Sequence, residues 1–460
     1  MMDFTLETCK EQIIEVLSGL LKIKSVKDDP QINMPYGKGV FDALMYMLNR
    51  SEKLDFDSVN LFSQIGYVEY GEGEDVFAIL THLDVVPAGE NWTVEPFDAT
   101  IRDGRIYGRG AVDDKGPAVA ALFALYAIKE NCKSLNKRVR VIFGCDEESG
   151  WSDMEFLKQK DPTEPVMAIS PDGNFPIINA EKGLMHITIS KPADKKEPSG
   201  GVVLVSLEGG DRVNVVPNFA RCVLRGQAGT VLKAVDLYNE GAEKKLKAER
   251  TGDEVAISSY GQAAHGSRPQ DGVNALGFLI SFLNTLPLHE SNLSDMVYAL
   301  GEKVNTETTG ARLGIAREDF SGALTLNLGA LKREDAEIKA MLDIRYPVGA
   351  DKEQIFSAIQ KSFDGFSVEE SFALPAHYVD ENTEFIQKLK EAYTEVTGEP
   401  AECMSIGGAT YARAFKNSVA FGPLFPGEEG TEHQPDEYIN IDSLIRAGDI
   451  IANAILKLCS

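Results

Sequence analysis

Residues 76–84 read VFAILTHLD. The apolar run Val76 to Leu80 has no polar interruption, which suits a strand buried on both faces. Polar residues follow at once: Thr81, His82 and, two positions beyond the histidine, Asp84. A second run, Val139-Arg140-Val141-Ile142-Phe143, has the same texture and leads into Cys145-Asp146-Glu147-Glu148. Between the two, residues 117–130 open with a proline and are rich in Ala and Leu, which predicts a helix. Strand, helix and strand in this order predict a mostly parallel sheet with flanking helices. Ligands of such sheets gather at the carboxyl ends of the strands, and both polar clusters fall there.

Working outward, Ile13, Ile14, Leu17, Leu20 and Leu21 recur at helical spacing and predict an amphipathic helix facing the core. From about residue 184 the pattern changes. The stretches 186–189, 202–205, 255–258 and 324–327 alternate apolar and polar residues, as antiparallel strands do. After about residue 380, helix-like and glycine-rich segments return and end in an apolar helix over 444–458. The expected architecture is therefore α/β and two-domain. Its parts are residues 1–183, an inserted α+β domain over 184–378, and residues 379–460, with a total of 460 residues that exceeds what one core holds.

Composition narrows the function. With 46 Lys and Arg against 71 Asp and Glu, the formal charge is −25, which argues against nucleic acid and anionic membrane as partners. Acids at Asp3, Glu7, Glu11 and Glu15 are wrong for a secretory signal, and no apolar run is long enough to cross a bilayer. The six cysteines, Cys9, Cys132, Cys145, Cys222, Cys403 and Cys459, show no CxxC spacing. Reduced thiols and a cytoplasmic location are the expectation.

Five segments carry candidate chemistry. His82 with Asp84 is the first; GRGAVDDKGP, residues 108–117, is the second; CDEES, residues 145–149, is the third. SPDG, residues 170–173, adds another acid after a short apolar run, and residues 422–438 place His433 in an acidic loop. Each has a plainer reading by itself: a structural histidine, a helix cap at Asp113 or Asp114, a solvated turn. As a set, these acids repel one another unless cations neutralise them. Asp, Glu and His are zinc ligands, and their order along the chain supplies two sites sharing one aspartate.

The segments HLDVVPAGENW (82–92), GRIYGRGAVDDKGP (104–117), DEESGW (146–151), SPDGNFPIINAEKG (170–183) and FGPLFPGEEGTEHQPDEY (421–438) resemble, in order, the M20 family of co-catalytic zinc peptidases, most closely its bacterial dipeptidase V branch. The resemblance implies two Zn2+ ions, with Mn2+ or Co2+ as substitutes. It implies that His82, Asp113 and Asp172 hold one ion and that Asp113, Glu148 and His433 hold the other. Asp113 would bridge, Glu147 would be the general base, and Asp84 would support His82 from behind. The bond between Asp113 and Asp114 is often cis in relatives. The first and last parts of the chain then form a zinc-exopeptidase-like catalytic domain and the middle a lid.

The middle region carries its own matches. Asn214 in GGDRVN and Arg345 in DIR resemble residues that hold the substrate, Arg345 by its C-terminal carboxylate. His265 in AHGS resembles a histidine that reaches the substrate carbonyl. Gly408 lies in GGATYAR, where Ala409 replaces the third glycine of the usual motif. His186, His289 and His377 match no motif and are read as structural, and Trp92 and Trp151 as packing residues. The implied substrates are dipeptides, with N-acyl amino acids as the alternative. The middle region is long enough to mimic a dimer within one chain, so a monomer is expected.

Overall fold

The computed structural model describes residues 4–131, 134–194, 200–241, 246–334 and 336–460. The chain divides into two compact units, one made of 1–180, 378–404 and 409–460, the other of 181–377 and 405–408. The chain thus leaves the first unit once for a long excursion and returns.

Across the sheet of the first unit run, in order, the strands Ser58–Leu61, Ile65–Tyr70, Arg138–Gly144, Val76–His82, Met167–Ser170, Ser418–Ala420 and Ile177–Glu181. Pairing is parallel from Arg138–Gly144 through Ser418–Ala420 and antiparallel on either flank. Every residue of Val76–His82 is buried. Phe77 and Ile79 join the core under the helices Lys10–Leu21, Lys115–Asn131 and Ile441–Cys459. Ala78 and Leu80 point the other way, into a smaller core with Met154, Leu157 and Tyr411. Two covered faces explain why this strand reads as a continuous apolar run. The helix Lys115–Asn131 is apolar almost all round because it is buried between the sheet and other helices.

The second unit is an antiparallel sheet with strands in the order Lys247–Thr251, Glu254–Tyr260, Phe219–Arg225, Val203–Gly209, Thr325–Glu334, Glu337–Tyr346, Gly183–Pro192 and Ser367–Leu374. The helices Ala228–Gly241, Ala275–Leu283, Asn292–Lys303 and Lys352–Ser362 supply the rest of its core. One short segment falls elsewhere than the sequence boundaries suggest. Ser405–Gly408 lies in the second unit, because Arg345 donates to the Gly407 carbonyl at 2.7 Å and the Ser405 hydroxyl to the Ser321 carbonyl at 3.0 Å.

Among the described residues no helix is long and apolar enough to cross a membrane. Cys9, Cys145, Cys222, Cys403 and Cys459 are free thiols. Cys132 lies outside the described residues.

Candidate metal centre and substrate residues

His82 ends its strand on the face shared with Ala78 and Leu80, and only 1% of it is exposed. Its Nδ1 lies 3.0 Å from the backbone carbonyl of Asp84 and 3.5 Å from the Asp84 carboxylate. The carbonyl is therefore the nearer partner of the ring. A proton on Nδ1 leaves the Nε2 lone pair facing the other way. The Asp84 carboxylate is turned instead toward the next strand end, where it accepts the backbone N–H groups of Glu147 (3.2 Å) and Glu148 (3.1 Å).

The turn after Tyr107 brings Asp113 up to His82. The Asp113–Asp114 peptide is cis. Asp113 Oδ1 stands 2.9 Å from His82 Nε2, and Asp113 Oδ2 stands 3.0 Å from His433 Nε2. Asp114 does not cap the helix that follows with its side chain; its Oδ2 accepts the backbone N–H of His82 at 3.0 Å. Asp172 follows the strand Met167–Ser170 and places Oδ2 3.9 Å from His82 Nε2. Glu148 lies 3.1 Å from His433 Nε2. His433 adopts the left-handed φ of 62° in its loop, a conformation that histidine tolerates better than most side chains.

Two triplets of ligand atoms result, His82–Asp113–Asp172 and Asp113–Glu148–His433, each with all its atoms within 4.8 Å of one another. They share Asp113. His82 Nε2 is buried and makes no hydrogen bond, although Asp113 Oδ1 is at contact distance. Two atoms that lie close without pointing at each other fit ligands aimed at a common third atom. The donor set, imidazole nitrogen and carboxylate oxygen, suits zinc.

The electrostatics agree. Burial pushes the Asp172 carboxyl up, and the charge of Asp113 adds to it. Burial does the same to Glu147 and Glu148, where neighbouring carboxylates add to the effect. Burial also works against the charge of Asp113, but the imidazoles of His433 and His82 that face it hold it below the ordinary range. His82 and His433 are pulled down by burial and pushed up further by the carboxylates they face. Such a crowd of acids is what a divalent cation would neutralise.

Several supports escape sequence reading. Of the three acids 146–148, Asp146 is a structural residue: it pairs with Lys27 and accepts from Ser149 and from the side chain and backbone of Ser152. Asp153 accepts the Cys145 N–H and the Tyr411 hydroxyl, and Tyr411 packs edge-on against both His82 and Trp151. Trp151 does pack, and its indole N–H also donates to the Glu147 carbonyl at 2.8 Å. Glu437, buried completely, accepts backbone N–H groups from Gly110, Val112 and Asp113 and pairs with Arg109. Burial first, and then the charge of Asp113, pushes its carboxyl up to about 7. Glu437 and Tyr411 sit inside the matched segments, but nothing in their spacing announces these partners.

The second unit brings the other candidates together. The segments of Asn214 and His265 run side by side: Gly266 N–H donates to the Asn214 carbonyl at 2.7 Å, and Val216 N–H to the Ala264 carbonyl at 2.9 Å. Asn327 Nδ2 donates to the carbonyls on both sides of Asn214, those of Val213 and Val215, each at 3.1 Å. His265 is exposed, with Nδ1 2.7 Å from the Ser267 hydroxyl. Arg345 is buried, not on the surface. Its Nε and Nη2 form a fork on Asp343 at 2.8 and 2.9 Å, and its Nη1 holds the Gly407 carbonyl next to Gly408. His186 stacks on Phe372 with Nε2 3.7 Å from Asp343, and burial lowers its pKa.

Comparison with known proteins matches residues 78–457 to the model of peptidase family M20/M25/M40. "Putative dipeptidase YtjP" of Bacillus subtilis (strain 168) is 38% identical over 455 residues, covering 98% of this chain and 97% of its own. "Putative dipeptidase SH1171" of Staphylococcus haemolyticus (strain JCSC1435) is 34% identical over 461 residues, with 97% of each covered. Among solved structures, human carnosine dipeptidase 1 shares the fold with a TM-score of 0.59 at 16% identity, covering 98% of this chain and 97% of that one. Aminoacylhistidine dipeptidase from Vibrio alginolyticus does so with a TM-score of 0.57 at 14% identity and 96% of each chain.

Proposed function

The chain belongs to peptidase family M20/M25/M40, and on that premise we propose that it is a metallo-dipeptidase that hydrolyses small peptides at a two-ion centre. The observation that carries this reading is the pair of ligand triplets joined at Asp113, with the half-buried Glu147 next in the chain to the ligand Glu148. His82, Asp113 and Asp172 would hold one ion, and Asp113, Glu148 and His433 the other. Two zinc ions, or manganese or cobalt in their place, would supply Lewis acidity and lower the pKa of a water toward neutrality.

Glu147 takes the proton of the attacking water and returns it to the leaving amine. The Asp84 carboxylate holds the peptide units of Glu147 and Glu148, so base and ligand keep a fixed spacing. His265 donates to the oxygen that becomes negative as the carbonyl is attacked. Arg345, with its plane set by Asp343, grips the substrate carboxylate together with Asn214 and the Gly408 segment. In this reading the first unit is catalytic and the second a lid, and the enzyme works as a cytoplasmic monomer.

The names of the sequence relatives support the dipeptide. The other substrate class this centre can serve is an N-acyl amino acid, since the chemistry at the scissile amide is the same. Assay of the zinc-loaded chain against unmodified dipeptides and N-acetyl and N-succinyl amino acids separates the two: turnover of the dipeptides is expected. Turnover confined to the acylated compounds would replace dipeptidase by deacylase, and a chain that takes up no divalent ion would end both readings. Light scattering on the eluted peak is expected at 50.2 kDa; twice that mass would refute the monomer.

A further inference from the structure

Four residues beyond His433, the same loop returns to the centre with Glu437, a side chain for which the scheme above has no use. It is 0% exposed. Its Oε1 accepts from the backbone N–H groups of Gly110 (3.0 Å), Val112 (3.0 Å) and Asp113 (3.3 Å). Its Oε2 accepts from Gly110 (3.1 Å) and from Arg109 Nη1 (2.5 Å), and its backbone carbonyl accepts the Gly108 N–H (2.9 Å).

A buried carboxylate with one guanidinium is by itself an ordinary ion pair. Glu437 differs because most of its donors belong to one short turn, and that turn ends in Asp113. Successive N–H groups closing on one anion fix the path of the backbone that carries them. The loop is tied down at the preceding residue too, where Asp436 accepts the Thr93 N–H at 2.7 Å.

The two ligand triplets depend on this clamp unequally. His82 stands at the end of a fully buried strand, and Asp172 follows another. Glu148 is held from behind by Asp84. Asp113 and His433, by contrast, come from the two loops that Glu437 fastens to each other, and they meet at 3.0 Å.

We propose that Glu437 is the positioning residue that sets Asp113 against His433, so that the ion site formed by Asp113, Glu148 and His433 depends on it through two ligands and the site at His82 through Asp113 alone. This rests on the two-ion reading. Ligand supports of this kind are worth roughly 10–100-fold in metal affinity.

The test is Glu437→Gln, which keeps the shape and puts an amide nitrogen among the donors. The variant removes the carboxylate partner of Arg109, so Arg109→Met/Glu437→Gln is made alongside it to keep the fold testable. Parent and variants are loaded with zinc, equilibrated with a chromophoric chelator, and scored for ions per chain by elemental analysis. The cobalt forms are scored by visible absorption and the fold by circular dichroism. The expected result is two ions in the parent. In the folded variants one ion is retained, the other is bound roughly 10–100-fold more weakly, and the cobalt spectrum of the His433 site is lost. Folded variants that keep both ions at parental affinity would overturn the proposal. Loss of both ions together, in step with the dichroism signal, would also overturn it and leave Glu437 a residue of the fold alone. A parent that binds no divalent ion would remove the two-ion reading itself, and this inference with it.

Discussion

The Asp84 carboxylate receives the backbone N–H of Glu147 at 3.2 Å. Its second oxygen receives that of Glu148 at 3.1 Å, so one acid two residues past a ligand histidine orients the strand end that carries base and ligand. Asp84 thereby links two parallel strands that pair through their last residues, His82 and Gly144.

Asp84→Asn keeps the shape but turns an NH2 group toward one of those amides, leaving two donors face to face. The expected outcome is a fall of roughly 10–100-fold in zinc affinity and turnover, the range seen when a partner behind a metal ligand is removed. Chelator competition and steady-state kinetics read it. Unchanged affinity and rate would mean that the two amide contacts do not matter to the centre.

Glu147→Ala removes the group assigned to proton transfer but none of the six ligand contacts at the centre. Turnover is expected to drop by at least about 10²–10⁴-fold, while zinc per chain stays at the parental level. Near-normal rates in this variant would take the role of general base away from Glu147.

Arg345→Ala is expected to do more than weaken carboxylate binding. Asp343 is 0% exposed and would keep a buried charge without its fork. Breaking such a pair from one side costs about 3–5 kcal/mol. Chemical denaturation of the second unit should show that loss, and KM for dipeptides with an unblocked carboxylate should rise more than for their amides. Equal effects on the two substrate series would confine Arg345 to a structural role.

Zinc uptake by the metal-free protein should release protons. His433 and Asp172 both have raised pKa values there, so at neutral pH both hold protons that a cation must displace. The sign follows: a group protonated in the empty state and deprotonated in the loaded state makes binding stronger as pH rises. Calorimetric titration in buffers of different ionisation heat should report net proton release at pH 7, and chelator competition should show tighter binding at pH 8 than at pH 6. Affinity independent of pH would show that His433 and Asp172 carry no displaceable protons.

Much of the molecule was legible in local pattern. VFAIL and VRVIF are strands in the structure, and residues 117–130 lie within the helix Lys115–Asn131. The alternating stretches of the middle region are antiparallel strands, except that Val202 is an isolated bridge and Leu324 lies just before its strand. The triplets at His82, Asp113, Asp172, Glu148 and His433 form from residues singled out by type and place along the chain.

What the sequence could determine by itself was what depends on near neighbours and on chemical identity: strand and helix periodicity, acids and histidines gathered at strand ends, and a family resemblance that named their grouping. Which of those polar groups face one another was settled by the folded chain. Asp146 turns to Lys27, and Asp114 to the His82 amide instead of its own helix. Arg345 turns inward to Asp343, and Glu437 to a turn more than three hundred residues earlier in the chain. The physical reason is that a buried polar group must find a partner wherever the fold supplies one. Side-chain type fixes the need for that partner, but the distance to it is set by strand order and loop path, which no local pattern records.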